Sequence, residues 1–261
     1  MNMHRSIKKL YNDCGILIYN FPSHIDYTSI AERCVAQCKT HLPNIPIMSV
    51  GHPISGADNH YQLDTPQHNK KVFGNKSKTW HNLSRHLSLQ ISPWYRTVVI
   101  DSDYMIMTNQ LLKLFASDQQ ILMHREWYDI TNDSVETMSV GKSAIDMMWA
   151  TVLKFDRTTE VEQFFDNWQK VIANYFYYAK LFSFSPHVIR NDFAVSIALK
   201  QLLNFGSVDH CVIPWSIHTT RDSVDVKHIQ NSSIPFADAK GDFTVAFDCH
   251  VLHKESLADA C

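Results

Sequence analysis

Asp101 and Asp103 are the residues of this chain whose type and spacing best suit chemistry. They close a β-branched run, Thr97-Val98-Val99-Ile100, and a second apolar stretch, Tyr104-Met105-Ile106-Met107, follows them. A continuous apolar run of this kind reads as a buried strand. In an extended backbone, side chains two positions apart point to the same side, so the strand would present both carboxylates together at its C-terminal end. Two unpaired carboxylates on one side repel each other and are costly to bury. A divalent cation removes both problems, and hard carboxylate oxygens suit Mg²⁺ or Mn²⁺. A lone D-x-D is common by chance; one that closes an apolar strand is much less so.

Elements on either side must hold that pair. Residues 15–21 form a short apolar run and a first strand, ended by Pro22-Ser23-His24. Residues 26–41 read as a helix, with Ile30, Val35 and Cys38 at helical spacing and Asp26 or Thr28 near its start. A second strand covers 45–50 and is broken by Gly51-His52-Pro53. This β-α-β opening predicts a parallel sheet, in which ligands sit beyond the C-terminal strand ends, here near Tyr19, Asn20 and Phe21. Further along, helices are expected over 79–89, 109–115, 159–178 and 191–203. Strands are expected over 96–100, 120–124, 211–215 and 243–249. Residues 52–78 read as a polar loop carrying Lys70, Lys71, Lys76 and Lys78. That cluster is either a solvated loop or a basic element touching phosphates or an anionic acceptor.

Composition narrows the class. The chain has 261 residues, 45% of them hydrophobic, which suits one α/β domain with a sizeable core. A formal net charge of -2 creates no global field that demands nucleic acid or an anionic membrane. With only 7 Gly, the chain holds neither a P-loop nor a dinucleotide fingerprint. Its six Cys are scattered and read as reduced packing residues. The first ten residues are polar and basic, and no apolar run reaches membrane-spanning length, so a soluble cytoplasmic protein without a membrane anchor is expected.

The stretch from Trp80 to Asp103, with Arg85 on a helix, the Pro93-Trp94-Tyr95 turn, the apolar strand and Asp101-Ser102-Asp103, resembles the central block of GT-A glycosyltransferases, especially the glycogenin/galactosyltransferase-like group. Met148 to Phe155 and the aromatic helix reaching Trp168 are similar to the strand and helix that follow the sugar pocket there. The resemblance implies a single GT-A domain, α/β with one Rossmann-like mixed sheet flanked by helices. Its nucleotide-binding half would span 14–107 and its acceptor-side half 108–261. It implies a nucleotide-sugar donor, most commonly a UDP-sugar, held with Mn²⁺ or Mg²⁺, and a hexosyl- or pentosyltransferase activity. Asp103 would bind the metal directly, and Asp101 the metal or the ribose. Tyr19, Asn20 and Phe21 would flank the nucleotide, and Arg85 would reach the donor sugar or phosphates. A C-terminal histidine completes the metal shell in that family, and a nearby cation steadies the diphosphate. His253 and Lys254, or His250, can serve here, although the family's Gly and Lys-Pro-Trp are replaced by Lys254-Glu255-Ser256.

Asp192 opens the helix over 191–203 and has two readings. It is a helix-start carboxylate favoured by the dipole, or an acceptor-side group that takes a proton or orients the acceptor. The acceptor itself is open: a protein, a lipid, a small molecule, or a hydroxymethylated base in DNA of the phage type. The lysine cluster, with Arg5, Lys8 and Lys9, gives the last some weight. Two other classes stand beside transfer of a sugar. A metal-dependent nucleotidyltransferase also places paired carboxylates on a strand but usually has a Gly-rich phosphate loop. A non-catalytic sugar-nucleotide-binding module would keep the fold without the chemistry.

Overall fold

The computed structural model describes residues 13–21, 25–63, 69–73, 76–80, 83–230 and 232–261, with the side chains of 70–73 and 76–80 outside the described part. The first half contains β1 (Cys14–Asn20), α1 (Tyr27–His41), β2 (Ile47–Gly51), β3 (Asn59–Tyr61), β4 (Asn69–Phe73), β5 (Lys76–Trp80), α2 (Ser88–Ile91), β6 (Arg96–Ile100), β7 (Tyr104–Met105), α3 (Leu112–Ala116) and β8 (Ile121–His124). The second contains β9 (Trp127–Asp129), β10 (Ser134–Glu136), β11 (Trp149–Asp156), α4 (Thr159–Ala173), α5 (Tyr175–Phe182), α6 (Asn191–Leu202), β12 (Ile217–Thr219), β13 (Asp225–Val226), β14 (Ile234–Asp238), β15 (Gly241–Val245), β16 (Cys249–His250) and α7 (Lys254–Ala260).

Six strands form the main sheet in the order β3-β2-β1-β6-β11-β8. β1 pairs in parallel with both β2 and β6, and β11 runs antiparallel between β6 and β8, so the sheet is mixed. Strands covered on both faces must be apolar throughout, and β1 is buried along its whole length. Ile16 and Ile18 face a core with α1 and Tyr104, while Leu17 and Tyr19 face one with α4 and α6. α1 starts where the Asp26 carboxylate accepts the N–H groups of Thr28 and Ser29 at 3.1 and 3.2 Å. α4 buries Val161, Phe164, Phe165, Trp168 and Val171, a stripe at helical spacing. Trp94 closes the start of β1: a Cβ on Gly15 would lie 2.2 Å from its ring, so only glycine fits under the indole.

A second sheet, β10-β9-β12-β16-β7, does the positioning. β7 leaves the D-x-D turn, and β16 pairs with it antiparallel, Cys249 opposite Met105 and His250 opposite Tyr104. A β13-β14-β15 meander and the β4-β5 hairpin complete the fold.

Several expected elements differ. The single sheet expected from sequence is one six-stranded sheet plus three smaller ones. The 79–89 helix is split: Lys76–Trp80 pairs with β4, and a 3₁₀ turn (Leu83–Leu87) leads into α2, because cross-strand pairing claims Thr79 and Trp80. The 159–178 helix is two helices, broken at Asn174, whose side chain bonds back to the Lys170 carbonyl at 2.9 Å. Where a strand is expected over 211–215, a 3₁₀ turn (Asp209–Cys211) is followed by a single bridge, Met123 to Val212, and then by Pro214, which has no N–H to donate. The polar loop over 52–78 holds β3, β4 and the start of β5.

Candidate active site

β6 ends at Ile100, and the chain turns at once: the Tyr104 N–H donates to the Asp101 carbonyl at 3.0 Å. Asp101 and Asp103 are thus not presented by one extended strand, as the sequence suggests. A tight turn at the strand's C-terminal end swings them to a common point. One ligand atom from each of Asp101, Asp103 and His250 lies within 4.8 Å of the others. The β7–β16 pairing delivers the histidine, and the Val251 N–H donates to the Asp103 carbonyl at 3.1 Å, locking the two segments.

Each carboxylate also carries a cation. The Arg85 guanidinium pairs with Asp101 and donates to the Ala150 carbonyl at 3.2 Å. The Lys254 ammonium pairs with Asp103 and lies 3.4 Å from His250 Nε2, which is itself 3.3 Å from Asp103 Oδ1. Burial works to raise the Asp103 pKa, but Lys254 and His250 hold it well below the usual carboxylate range. Burial, helped by Lys254, lowers the His250 pKa against the opposing pull of Asp103, which favours the neutral ring, the state in which imidazole ligates metals. Two carboxylate oxygens and one imidazole nitrogen suit Mn²⁺ or Mg²⁺, with positions left for phosphate or water. His253 turns elsewhere: its Nδ1 lies 3.0 Å from Asp225 and 3.3 Å from the Val224 carbonyl. The described group is therefore completed by His250.

A cleft of about 310 Å³ opens beside this group, lined by Arg85, Asp101, His250, Trp149, Thr151, Ile189, Arg190 and Asp192. That is at the small end of ligand pockets, which run from roughly 300 to 1,000 Å³. Asp192, second residue of α6, accepts the Ala150 N–H at 3.0 Å through one oxygen, while its other oxygen lies 3.4 Å from the Arg190 guanidinium. It is thus a helix-start carboxylate that also borders the cleft. Asn69 exchanges two hydrogen bonds with the Ile189 backbone at 2.8 and 2.9 Å, pinning the foot of the β4-β5 hairpin to the rim.

At the end of β1 the three expected nucleotide contacts part company. The Tyr19 hydroxyl is committed to Ser88 Oγ at 2.8 Å and the Ser84 carbonyl at 3.4 Å, and burial raises its pKa. Phe21 packs against Gly51. Asn20 is buried, yet neither amide atom has a partner among the described residues. An unpaired buried amide costs about 1–3 kcal/mol, so this one is suited to an incoming polar group.

Sequence reasoning missed Trp149, Thr151, Arg190 and Asn69 as lining residues. Trp149 opens an apolar run that reads as core, and its ring meets His250 edge-on at 6.3 Å. Arg190 stands two residues before the α6 carboxylate, the one local sign of its place at the cleft. Lys70, Lys71, Lys76 and Lys78 lie on the hairpin, Lys71 opposite Lys78, with their side chains outside the described residues, as are Arg5, Lys8 and Lys9. Among the described residues no helix is long and apolar enough to cross a membrane.

No protein-family profile and no curated protein matches this chain. Among solved structures it is similar to the glycosyltransferase GlyE of Streptococcus pneumoniae TIGR4, at 12% identity and a TM-score of 0.41, over 77% of this chain and 45% of that one. The apo form of the same protein gives 13% identity and a TM-score of 0.39, over 73% of this chain and 43% of that one. The chain spans less than half the length of those structures.

Proposed function

We propose that this chain is a metal-dependent glycosyltransferase of the GT-A type, taking a sugar from a nucleoside diphosphate, uridine diphosphate in the first instance, to an acceptor hydroxyl. The observation that carries this reading is the convergence of Asp101, Asp103 and His250 at a strand end, flanked by Arg85 and Lys254 and opening on a small cleft. A phosphate-binding centre needs a cation site with fixed positive side chains around it, and a sugar needs a cleft next to it.

Glycosyl transfer breaks the bond between C1 of the sugar and a phosphate oxygen, and negative charge develops on the departing diphosphate. Asp101, Asp103 and His250 would hold a Mn²⁺ or Mg²⁺, which would supply positive charge to that diphosphate. Lys254 and Arg85 are the chain's own cations at the same place. In this reading Lys254 exchanges Asp103 for a phosphate oxygen, and Arg85 keeps Asp101 oriented while reaching the donor. Asn20 offers its unpaired amide to the nucleotide. Across the cleft Asp192, oriented by the Ala150 N–H, takes the acceptor proton or positions the acceptor hydroxyl.

A hydroxymethylated base in DNA is the acceptor suited to the lysines of the β4-β5 hairpin, whose foot is pinned to the cleft rim through Asn69. The experiment is incubation with a panel of nucleotide sugars, with and without Mn²⁺, followed by chromatography for free nucleoside diphosphate, and with hydroxymethylated duplex DNA in a parallel arm. Metal-dependent release of nucleoside diphosphate is expected. Release of sugar 1-phosphate instead, with the nucleoside monophosphate passed to an acceptor, would assign a nucleotidyltransferase, and no turnover of any donor would assign a binding module.

A further inference from the structure

α5 turns three of its large apolar side chains outward. Phe176, Tyr177 and Leu181 are 75%, 63% and 55% exposed. Residues four apart are neighbours on a helix, so Tyr177 stands over Leu181 and Phe176 over Lys180, making one continuous face. An apolar patch of this kind on a soluble surface marks a place of contact. Nor is the exposure a matter of a loose helix. Tyr175 and Ala179 are buried on the opposite face, and the Tyr175 hydroxyl accepts the Arg190 N–H at 2.9 Å. The Phe182 carbonyl accepts the Lys142 N–H at 2.9 Å. Gly141 has φ +59°, and a Cβ there would lie 2.3 Å from that carbonyl, so this approach requires glycine.

The charged residues of α5 and of the turn of α4 before it are basic: 167–182 contains Lys170 and Lys180 and no Asp or Glu, in a chain whose acidic residues outnumber its basic ones, 26 to 24, while Arg190 beyond it is paired with Asp192. Lys142, Lys170 and Lys180 are all exposed. Aromatic rings and Leu beside lysines are the composition of a surface that lies on a bilayer. The rings settle at headgroup level, the lysine stems lie along apolar surface, and the ammonium groups meet anionic headgroups. A neutral apolar partner would need only the rings. One-sided positive charge in an acidic chain favours an anionic lipid surface.

We propose that α5 docks this protein on an anionic lipid bilayer. The segment that follows α5 supplies Val188, Ile189 and Arg190 to the cleft, so docking would hold the cleft rim next to the membrane surface. The proposal stands apart from glycosyl transfer, since adhesion to lipid needs neither donor nor metal.

The test is co-sedimentation of the full chain with phosphatidylglycerol-rich vesicles and with phosphatidylcholine vesicles. Binding to the anionic vesicles, weakened by salt, is expected. Phe176→Ser, Tyr177→Ser and Leu181→Ser together should lower that binding roughly ten-fold or more. Lys180→Ser should lower it about five-fold. These side chains are exposed, so the variants should melt at the wild-type temperature, which circular dichroism checks. Failure of the folded wild type to bind anionic vesicles, or equal binding by the triple variant, would overturn the proposal. So would a concentration-dependent dimer that the triple variant dissolves without any vesicle binding, which would assign the face to a second copy.

Discussion

Lys254 and Asp103 form an ion pair inside the site, with His250 against the other oxygen of the same carboxylate. In the proposed function, Lys254 thus already holds a carboxylate that would help bind the metal. A metal ion and Lys254 would then share Asp103, and a phosphate would offer the ammonium another partner.

Lys254→Ala should therefore act in two directions. Mn²⁺ alone should bind about ten-fold more tightly, because a buried positive charge beside the site is gone. Uridine diphosphate in the presence of Mn²⁺ should bind about ten-fold more weakly, because a charged hydrogen bond to phosphate is lost. Titration calorimetry measures both; parallel changes in the two affinities would place Lys254 outside the donor site.

Arg85 pairs with Asp101 where both side chains are about 15% exposed or less, and it also satisfies the Ala150 carbonyl. Arg85→Ala leaves a largely buried carboxylate and a carbonyl without partners, and should cost about 3–5 kcal/mol of stability. Urea unfolding measures it. A loss below about 1 kcal/mol would show that water reaches Asp101 freely.

Asp192→Asn keeps an oxygen for the Ala150 N–H, so stability should change by less than about 1 kcal/mol. Donor hydrolysis should persist while transfer to an acceptor falls by about a hundred-fold or more, as expected when a general base is removed. Equal loss of both activities would return Asp192 to a purely structural role.

His124 sits at the end of β8, fully buried, with neither ring nitrogen partnered among the described residues. Burial, with His218 nearby, lowers its pKa to about 3. The unfolded chain binds this proton below about pH 6.5 while the folded one does not, so stability must fall as pH drops from there toward about 3. The slope from this group is at most about 1.4 kcal/mol per pH unit. His124→Gln should flatten the decline seen in urea titrations between those limits; an unchanged slope would mean that the ring is solvated.

The β1–α1–β2 opening was legible because its signals are local: an apolar run, an Asp cap, helical spacing, then a Gly-His-Pro break. β6 and α6 were legible for the same reason. The insertion of β11 between β6 and β8, and the β7–β16 pairing, depend on partners distant in sequence and have no local signature. That limit shaped the site. Asp101, Asp103, Arg85, Lys254 and Asp192 could be singled out by type and position. Whether His250 or His253 joined them could not, because a two-residue strand, Cys249–His250, decides it. That Ser88 holds the Tyr19 hydroxyl likewise has no local sign, since the two residues are far apart in the chain.

In the proposed function Asp101, Asp103 and His250 would hold a divalent cation on which binding of a nucleoside diphosphate depends. Calorimetry of uridine diphosphate binding tests it most directly, with excess Mn²⁺, with excess EDTA, and with Asp103→Ala in Mn²⁺. The account predicts binding in the first case and a loss of at least about a hundred-fold in the other two, several kcal/mol of interaction being removed. Equal affinity in Mn²⁺ and EDTA, or wild-type affinity in the Asp103→Ala variant, would contradict it.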